Sequence, residues 1–194
     1  MAASVAGLIL AGGAGTRFGG PKAFGLLPDG RSFLAACAET FAAAGVSPVL
    51  ATLPAAAAPA GERGFETLPL PAPGLPMFES VKIGLGRLLG DPRWDAVVVL
   101  PVDHPLVRAE TVRALAATGA DGAIPVYRGK HGHPVMLVRA VAEQVVAGAL
   151  PGPTLREVLH AVGTVDVAVD DPGVTANCNT PEALAAALAR GGPS

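Results

Sequence analysis

Fifteen residues near the N-terminus, Leu8 to Lys22, constrain this chain more than any others. An apolar run from Val5 to Leu10 leads into Gly12, Gly13, Gly15, Gly19 and Gly20, and the loop carries two charges, Arg17 and Lys22, both cations. Glycines tolerate positive φ and let a ligand come close to the main chain. Successive N–H groups in such a loop form an anion-binding concavity. Arginine adds a planar fork for phosphate oxygens and lysine a point charge. A buried strand followed by this loop reads as a polyphosphate cradle at the carboxyl end of a strand. A glycine turn with no ligand is the plain alternative, and it leaves the paired cations without a use.

Two familiar phosphate loops fit less well. A dinucleotide fingerprint needs Gly-x-Gly-x-x-Gly opening straight into a helix. Here Gly13, Gly15 and Gly19 are spaced Gly-x-Gly-x-x-x-Gly, and Pro21 stands where that helix would run. A P-loop needs Gly-Lys followed by Ser or Thr, whereas the chain has Gly129-Lys130-His131. A dinucleotide-dependent oxidoreductase is therefore a weaker reading.

Strand-like and helix-like segments alternate along the 194 residues, which predicts an α/β domain over residues 1–194 with helices on both faces of a mostly parallel sheet. Strands are expected at Val5–Leu10, Val49–Thr52, Phe65–Leu68, Ala96–Leu100, Gly122–Val126, Val135–Val138 and Val165–Val169. Ser32 should cap a helix that Gly45 stops, and Thr154 with Glu157 has capping-box spacing. Pro69 should end the third strand, and a proline-rich loop should lead to a helix over Met77–Leu89. Ala96–Leu100 is apolar throughout, as a strand buried on both faces requires. It runs into Pro101-Val102-Asp103-His104-Pro105, so Asp103 falls at a carboxyl end, where open α/β sheets bind ligands.

Composition excludes several classes. With 14 basic and 16 acidic residues the net charge is −2, so no basic surplus points to nucleic acid or an anionic membrane. The N-terminal apolar run is short, glycine-broken and without a basic lead, unlike a secretory signal, and no run reaches the ~20 residues of a membrane span. A cytoplasmic protein is expected. Cys37 and Cys178 lack metal-site spacing and read as buried hydrophobes. His131 and His133, with His104, invite a metal or acid–base reading, but no Cys or Glu cluster supports zinc.

Leu10 to Gly19 plus Lys22 matches Leu-Ala-Gly-Gly-x-x-x-Arg-x-Gly…Lys, a nucleotidyltransferase signature. Asp103-His104-Pro105, Gly132-His133-Pro134-Val135 and Asn177-Cys178-Asn179-Thr180-Pro181-Glu182 follow in order. With these four segments the chain resembles the MobA/MocA-like family of molybdenum-cofactor nucleotidyltransferases. The resemblance implies a three-layer α/β/α, Rossmann-like sheet of the nucleotidyltransferase (glycosyltransferase-A-like) type. It implies transfer of a nucleoside monophosphate from CTP or GTP to a phosphorylated acceptor, molybdopterin first among them, with Mg²⁺ as cofactor. A sugar phosphate or other small phosphomonoester is the alternative acceptor. A non-catalytic nucleotide-binding accessory protein is the alternative of another class. A molybdoenzyme or cofactor-insertion protein is the implied partner, and monomer and homodimer both stay open.

Residue by residue, the resemblance places the nucleotide on Leu10, Ala11, Gly12, Gly13, Gly15, Arg17, Lys22 and Asp103, the first three reading the base through the main chain. Arg17, Lys22 and Asp103 carry the chemistry. Asp103 is the first choice of metal ligand, an acid with no Lys or Arg beside it in sequence, and Asn179 the second. Ser80, Lys82, His133 and Asn177 fall to the acceptor, with nucleotide or main-chain contact an alternative for Asn177. His160 reads as structural, and Trp94 as packing or a dimer contact. The opening and closing motifs look like the GTP-using branch, whereas Ser80-Val81-Lys82, Gly132-His133-Pro134-Val135 and Pro153-Thr154-Leu155-Arg156 look like the CTP-using branch.

Overall fold

A computed structural model describes residues 4–13, 22–55, 64–72 and 74–191. The strands are β1 (Val5–Leu10), β2 (Val49–Pro54), β3 (Glu66–Leu70), β4 (Ala96–Pro101), β5 (Gly122–Tyr127), β6 (Lys130–His131), β7 (Val135–Val138) and β8 (Val165–Ala168). The helices are α1 (Phe33–Ala44), α2 (Met77–Leu88), α3 (Ala109–Ala116), α4 (Arg139–Ala147), α5 (Leu155–Ala161) and α6 (Pro181–Gly191). The sheet runs β3-β2-β1-β4-β7-β5-β6, and β8 pairs with β5. Pairs β1–β2, β1–β4, β2–β3 and β5–β8 are parallel; β7 runs antiparallel to both its neighbours, and β6 to β5.

The strand period of two divides the core in two. Ile9, Val98 and Leu100 face one side, where α1, α3 and α6 bring Phe33, Leu34, Phe41, Leu115 and Leu184. Leu8, Leu10, Val97 and Val99 face the other, against Val81, Leu85, Val141, Val145 and Val158 of α2, α4 and α5. The result is three layers, helices on a buried sheet on helices. A fully buried Leu such as Leu8 contributes about 1.5–3 kcal/mol of apolar burial. Trp94 is packing: it is 1% exposed, its indole N–H donates to the Leu88 carbonyl at 2.9 Å, and the Arg139 guanidinium lies 4.6 Å from its ring centre.

Local chemistry sets the helix ends. The Ser32 hydroxyl accepts from the Ala35 N–H at 3.0 Å, and Gly45 leaves α1 at φ 78°. The Thr154 hydroxyl accepts from the Glu157 N–H and donates to its carboxylate. Thr180 accepts from the Ala183 N–H at 3.2 Å, and Pro181 opens α6.

Three expectations change. Pro69 does not end the third strand; it lies within β3, opposite Leu53. β3 is the edge of the sheet, where a residue without an N–H costs no ladder bond on its open side. The link between β5 and β7, residues 128–134, carries the extra strand β6, which a two-residue hairpin turn joins to β5. Arg128 and Gly129 both have positive φ, 49° and 76°, as a tight hairpin turn demands. The second strand, expected to end at Thr52, runs two residues further to Pro54, and residues 56–63 lie outside the described part. Among the described residues no helix is long and apolar enough to cross a membrane.

Candidate functional site

Parallel pairing of β1 with β4 sets Leu10 opposite Pro101, so the segments leaving the two strands start side by side. The Val102 N–H donates to the Leu10 carbonyl at 3.1 Å, and the Ala11 N–H to the Thr52 carbonyl at 3.0 Å. Gly12 and Gly13 follow at this edge, one connection from Asp103. A Cβ on Gly12 would lie 2.2 Å from Leu70 Cδ1 and 3.6 Å from Ser80 Oγ, so α2 and β3 press against this turn. Gly15 and Arg17 fall in residues 14–21, outside the described part.

Chain order turns back toward this edge twice. Because β7 is antiparallel to β4, with Val135 opposite Val99, it begins where the parallel strands end, and His133 stands just before it. The Asp103 carbonyl accepts from the Cys178 N–H at 2.8 Å, and the Val174 carbonyl from the His133 N–H at 2.8 Å. Residues 172–179 thus run between the exit of β4 and the entry of β7, and bring Asn177 and Asn179 with them.

The side chains that converge are Lys22, Asp103 and Asn179. The Lys22 ammonium lies 3.4 Å from Asp103 Oδ2 and also donates to the Asn179 amide oxygen. Lys22 and Asp103 are 22% and 18% exposed, so the pair is only part screened. Asp103 has no basic neighbour in sequence, but in space Lys22 lies beside it. One cation already spans two oxygens, a carboxylate and an amide. Hard divalent ions prefer such oxygen donors, and Mg²⁺ commonly takes one or two protein ligands, with phosphates and waters completing its shell. Among the described residues no cluster of three or more His, Cys, Asp or Glu could hold a metal, so any ion here would draw the rest of its shell from the nucleotide.

Next to Asp103 the site becomes less polar. His104 is 5% exposed, its Nδ1 is 3.4 Å from the Gly173 carbonyl, and its Nε2 is 3.9 Å from Asp103 Oδ1. The His133 ring centre is 4.9 Å from that of His104. Burial, with His104 beside it, pulls His133 down to about 4, and burial also lowers His104. His133 is therefore a neutral imidazole at physiological pH, and its Nδ1 is buried with no hydrogen-bond partner among the described residues. Cys37 and Cys178 are buried thiols; burial pushes Cys178 up to about 11 and Cys37 in the same direction, so neither is a ready nucleophile.

His104, His133 and Asn177 line one end of an open cleft of about 1050 Å³ between the β5–β7 part of the sheet and α5. Ser80 and Lys82 do not line it. Ser80 is buried against the Gly12 turn, and the Lys82 ammonium is 2.6 Å from Glu79 and over the Phe78 ring. His160, expected to be structural, is on the cleft wall and exposed. Sequence reasoning passed over Lys130 and Arg156 as site residues, and over Asp166 and the α5 wall. The capping box announced α5 but not what it packs against.

A sheet that gathers a glycine turn, a cation and a carboxylate at its carboxyl edge is the nucleotidyltransferase-type α/β/α fold. Residues 7–167 match the family described as MobA-like NTP transferase domain, and the chain belongs to it. The chain is 35% identical over 130 residues to the bifunctional enzyme IspD/IspF of Novosphingobium aromaticivorans, covering 63% of this chain and 33% of that one. It thus spans about a third of that curated relative. Among solved structures it is similar to Rv0371c of Mycobacterium tuberculosis H37Rv, with TM-score 0.80, 24% identity, and 97% and 100% of the two chains covered. Rv0371c has also been solved in complex with manganese (TM-score 0.74, 22% identity, coverage 96% and 98%). The 2-C-methyl-D-erythritol 4-phosphate cytidylyltransferase of Thermus thermophilus shares the fold with TM-score 0.69 and 22% identity, 98% of each chain covered.

Proposed function

We propose that this chain transfers a nucleoside monophosphate from a nucleoside triphosphate to a phosphorylated acceptor, releasing pyrophosphate, with Mg²⁺ or a similar divalent ion. The observation that carries this reading is the meeting of Lys22, Asp103 and Asn179 beside the Gly12–Gly13 turn. Such a reaction needs little acid–base work. An acceptor phosphate, with a second pKa of about 6, is already an anionic nucleophile at neutral pH. Its oxygen forms the new bond to the α-phosphorus while the bond to the bridging oxygen breaks, and pyrophosphate leaves with the electron pair. What the protein must supply is alignment of two polyanions and neutralisation of growing charge.

In this reading the main chain at Leu10, Ala11 and Gly12 reads the base, and Gly13, Gly15 and Arg17 cradle the phosphates. Lys22 neutralises the α-phosphate or the leaving pyrophosphate. Asp103 and Asn179 hold the metal, which when bound adds Lewis-acid charge stabilisation. His133 and Asn177 meet the acceptor. Ser80 supports the turn from beneath, and Lys82 is the weakest of the acceptor assignments, being engaged by Glu79. We place the reaction in the cytoplasm, with the nucleotide pool.

CTP is the first choice of nucleotide. The middle segments of the sequence support it, as does the fold shared with a cytidylyltransferase. The closing Asn177-to-Glu182 segment favours GTP as the second reading. A sugar or alcohol phosphate is the first acceptor class, suggested by the relatives' names, and molybdopterin the second, suggested by the family resemblance. A thermal-shift panel of CTP, GTP, ATP and UTP with Mg²⁺, followed by pyrophosphate release against candidate acceptors, tests the proposal. A shift with one triphosphate and acceptor-dependent pyrophosphate supports it. A shift without pyrophosphate favours the accessory-protein reading, and a shift with NAD(P) alone would sink both.

A further inference from the structure

The cleft beside Asp103 is larger and differently charged than a small phosphomonoester needs. Its volume, about 1050 Å³, is at the top of the roughly 300–1,000 Å³ typical of small-molecule sites. Its middle is apolar, built from Ile124, Val135, Leu155, Leu159 and Val174. The Nδ1 of His133, a residue of its lining, is buried with no hydrogen-bond partner among the described residues. A buried polar atom left in that condition is costly, and a ligand atom placed there relieves the cost.

The cations on the cleft wall show a second pattern. The side chains of Lys130 and Arg156 make no ion pair or hydrogen bond among the described residues, although both residues line the cleft. The carboxylates that share the lining contact groups other than these two cations. Asp166 is 2.8 Å from His131 Nε2, and Glu157 is folded back onto the Thr154 hydroxyl at 2.6 Å. A lone exposed lysine is ordinary. Two cations on one cleft with no ion-pair partner among the described residues, one from the β5–β6 hairpin and one from α5, are placed to receive an anion. They belong to different elements from Lys22, which is occupied by Asp103 and Asn179.

Resting on the nucleotidyl-transfer reading, we propose that the acceptor is a dianion-ended molecule. Its reacting phosphate lodges by His133 and Asn177, an apolar or ring-shaped body lies along the cleft, and a second carboxylate or phosphate is received by Lys130 and Arg156. The two cations select the acceptor and take no part in bond making. Among sugar and alcohol phosphates, those that carry a second anionic group would then be preferred.

The probes are pentanediol bisphosphate and pentyl phosphate, titrated calorimetrically into the protein loaded with Mg²⁺ and a non-hydrolysable CTP analogue, and into the free protein. The bisphosphate should bind at least tenfold more tightly than the monophosphate. The double variant Lys130→Glu/Arg156→Glu, both positions exposed, should erase that preference and leave pentyl phosphate, melting temperature and nucleotide affinity unchanged. Equal affinities in the wild type overturn the proposal, as does a preference that survives the double variant or vanishes when the nucleotide analogue fills its site. Failure of the nucleotidyl-transfer reading shows separately, as no thermal shift with any triphosphate, while the probe titration into free protein still decides the anion subsite.

Discussion

The two halves of the candidate site are built on opposite principles. The half proposed for the nucleotide, the nucleotide half, is made of main chain and charge: the Gly12–Gly13 segment after β1, the Lys22 ammonium, the Asp103 carboxylate and the Asn179 amide. The cleft half is made of apolar side chains, two neutral imidazoles and two cations that have no partner among the described residues. The first depends on short connections leaving adjacent parallel strands. The second depends on β7 running backwards, which brings the start of a late strand to the carboxyl ends of early ones. The difference suggests a division of labour, with the chemistry held by the parallel part of the sheet and the choice of acceptor by the antiparallel part.

The largest effect should fall on the nucleotide half. Asp103→Asn keeps the shape and removes the charge. It should cut acceptor-dependent pyrophosphate release by about 10³-fold or more, the scale of losing a key charge-stabilising group, with a melting temperature within a few degrees of the parent. Wild-type turnover would break the contrast between the halves. Lys22→Met should be next, lowering kcat/KM for the triphosphate by roughly 10²-fold, about 2.7 kcal/mol. Because it frees the Asp103 and Asn179 oxygens, it should also tighten nucleotide-free Mn²⁺ binding, read by electron paramagnetic resonance. Weaker Mn²⁺ binding in Lys22→Met would mean that the lysine does not occupy the ion's position.

The cleft half answers to pH. His133 sits near 4 when folded and near its ordinary value of about 6.5 when unfolded. Between those values the unfolded chain binds the extra proton, so stability rises with pH across the window and is lost on acidification through it. The contribution is on the order of 3 kcal/mol at full separation, and burial of His104 adds in the same direction. Denaturant unfolding at several pH values should show this slope, and His133→Asn should flatten it. The smallest effect should come from the cleft wall. Thr154→Ala removes the capping box of α5 and should cost about 1 kcal/mol, together with a rise in KM for acceptor and none for nucleotide. An equal rise in both would erase the distinction between the halves.

Legibility in the sequence follows the same division. Of the Leu10–Lys22 reading the structure describes only Leu10–Gly13 and Lys22, and the signal there is local: glycines and a cation within a few residues of a strand end. Asp103 could be read because an apolar strand announced where its carboxyl end must lie. Arg17 belonged to that reading too, but it falls outside the described residues. The Lys22–Asp103–Asn179 contact spans 81 and 157 positions of the chain, and no local period encodes it. The antiparallel turn of β7 was equally hidden, since Val135–Val138 is as apolar as a parallel strand. Pro69 misled because a proline's effect depends on whether its strand is an edge, which is a property of the sheet. Arg156 was noticed only within the Pro153–Arg156 segment and Lys130 not as a site residue, for a cation without a partner among the described residues is defined by what surrounds it.

The most direct measurement is ³¹P NMR of the triphosphate bound to the protein, titrated with Mn²⁺, in the wild type and in Asp103→Asn. If Asp103 and Asn179 hold the ion against the nucleotide, phosphorus lines of the bound wild-type complex broaden at Mn²⁺ concentrations well below those that broaden free nucleotide. The variant should then need at least tenfold more Mn²⁺. Identical titrations for the two proteins would contradict the account.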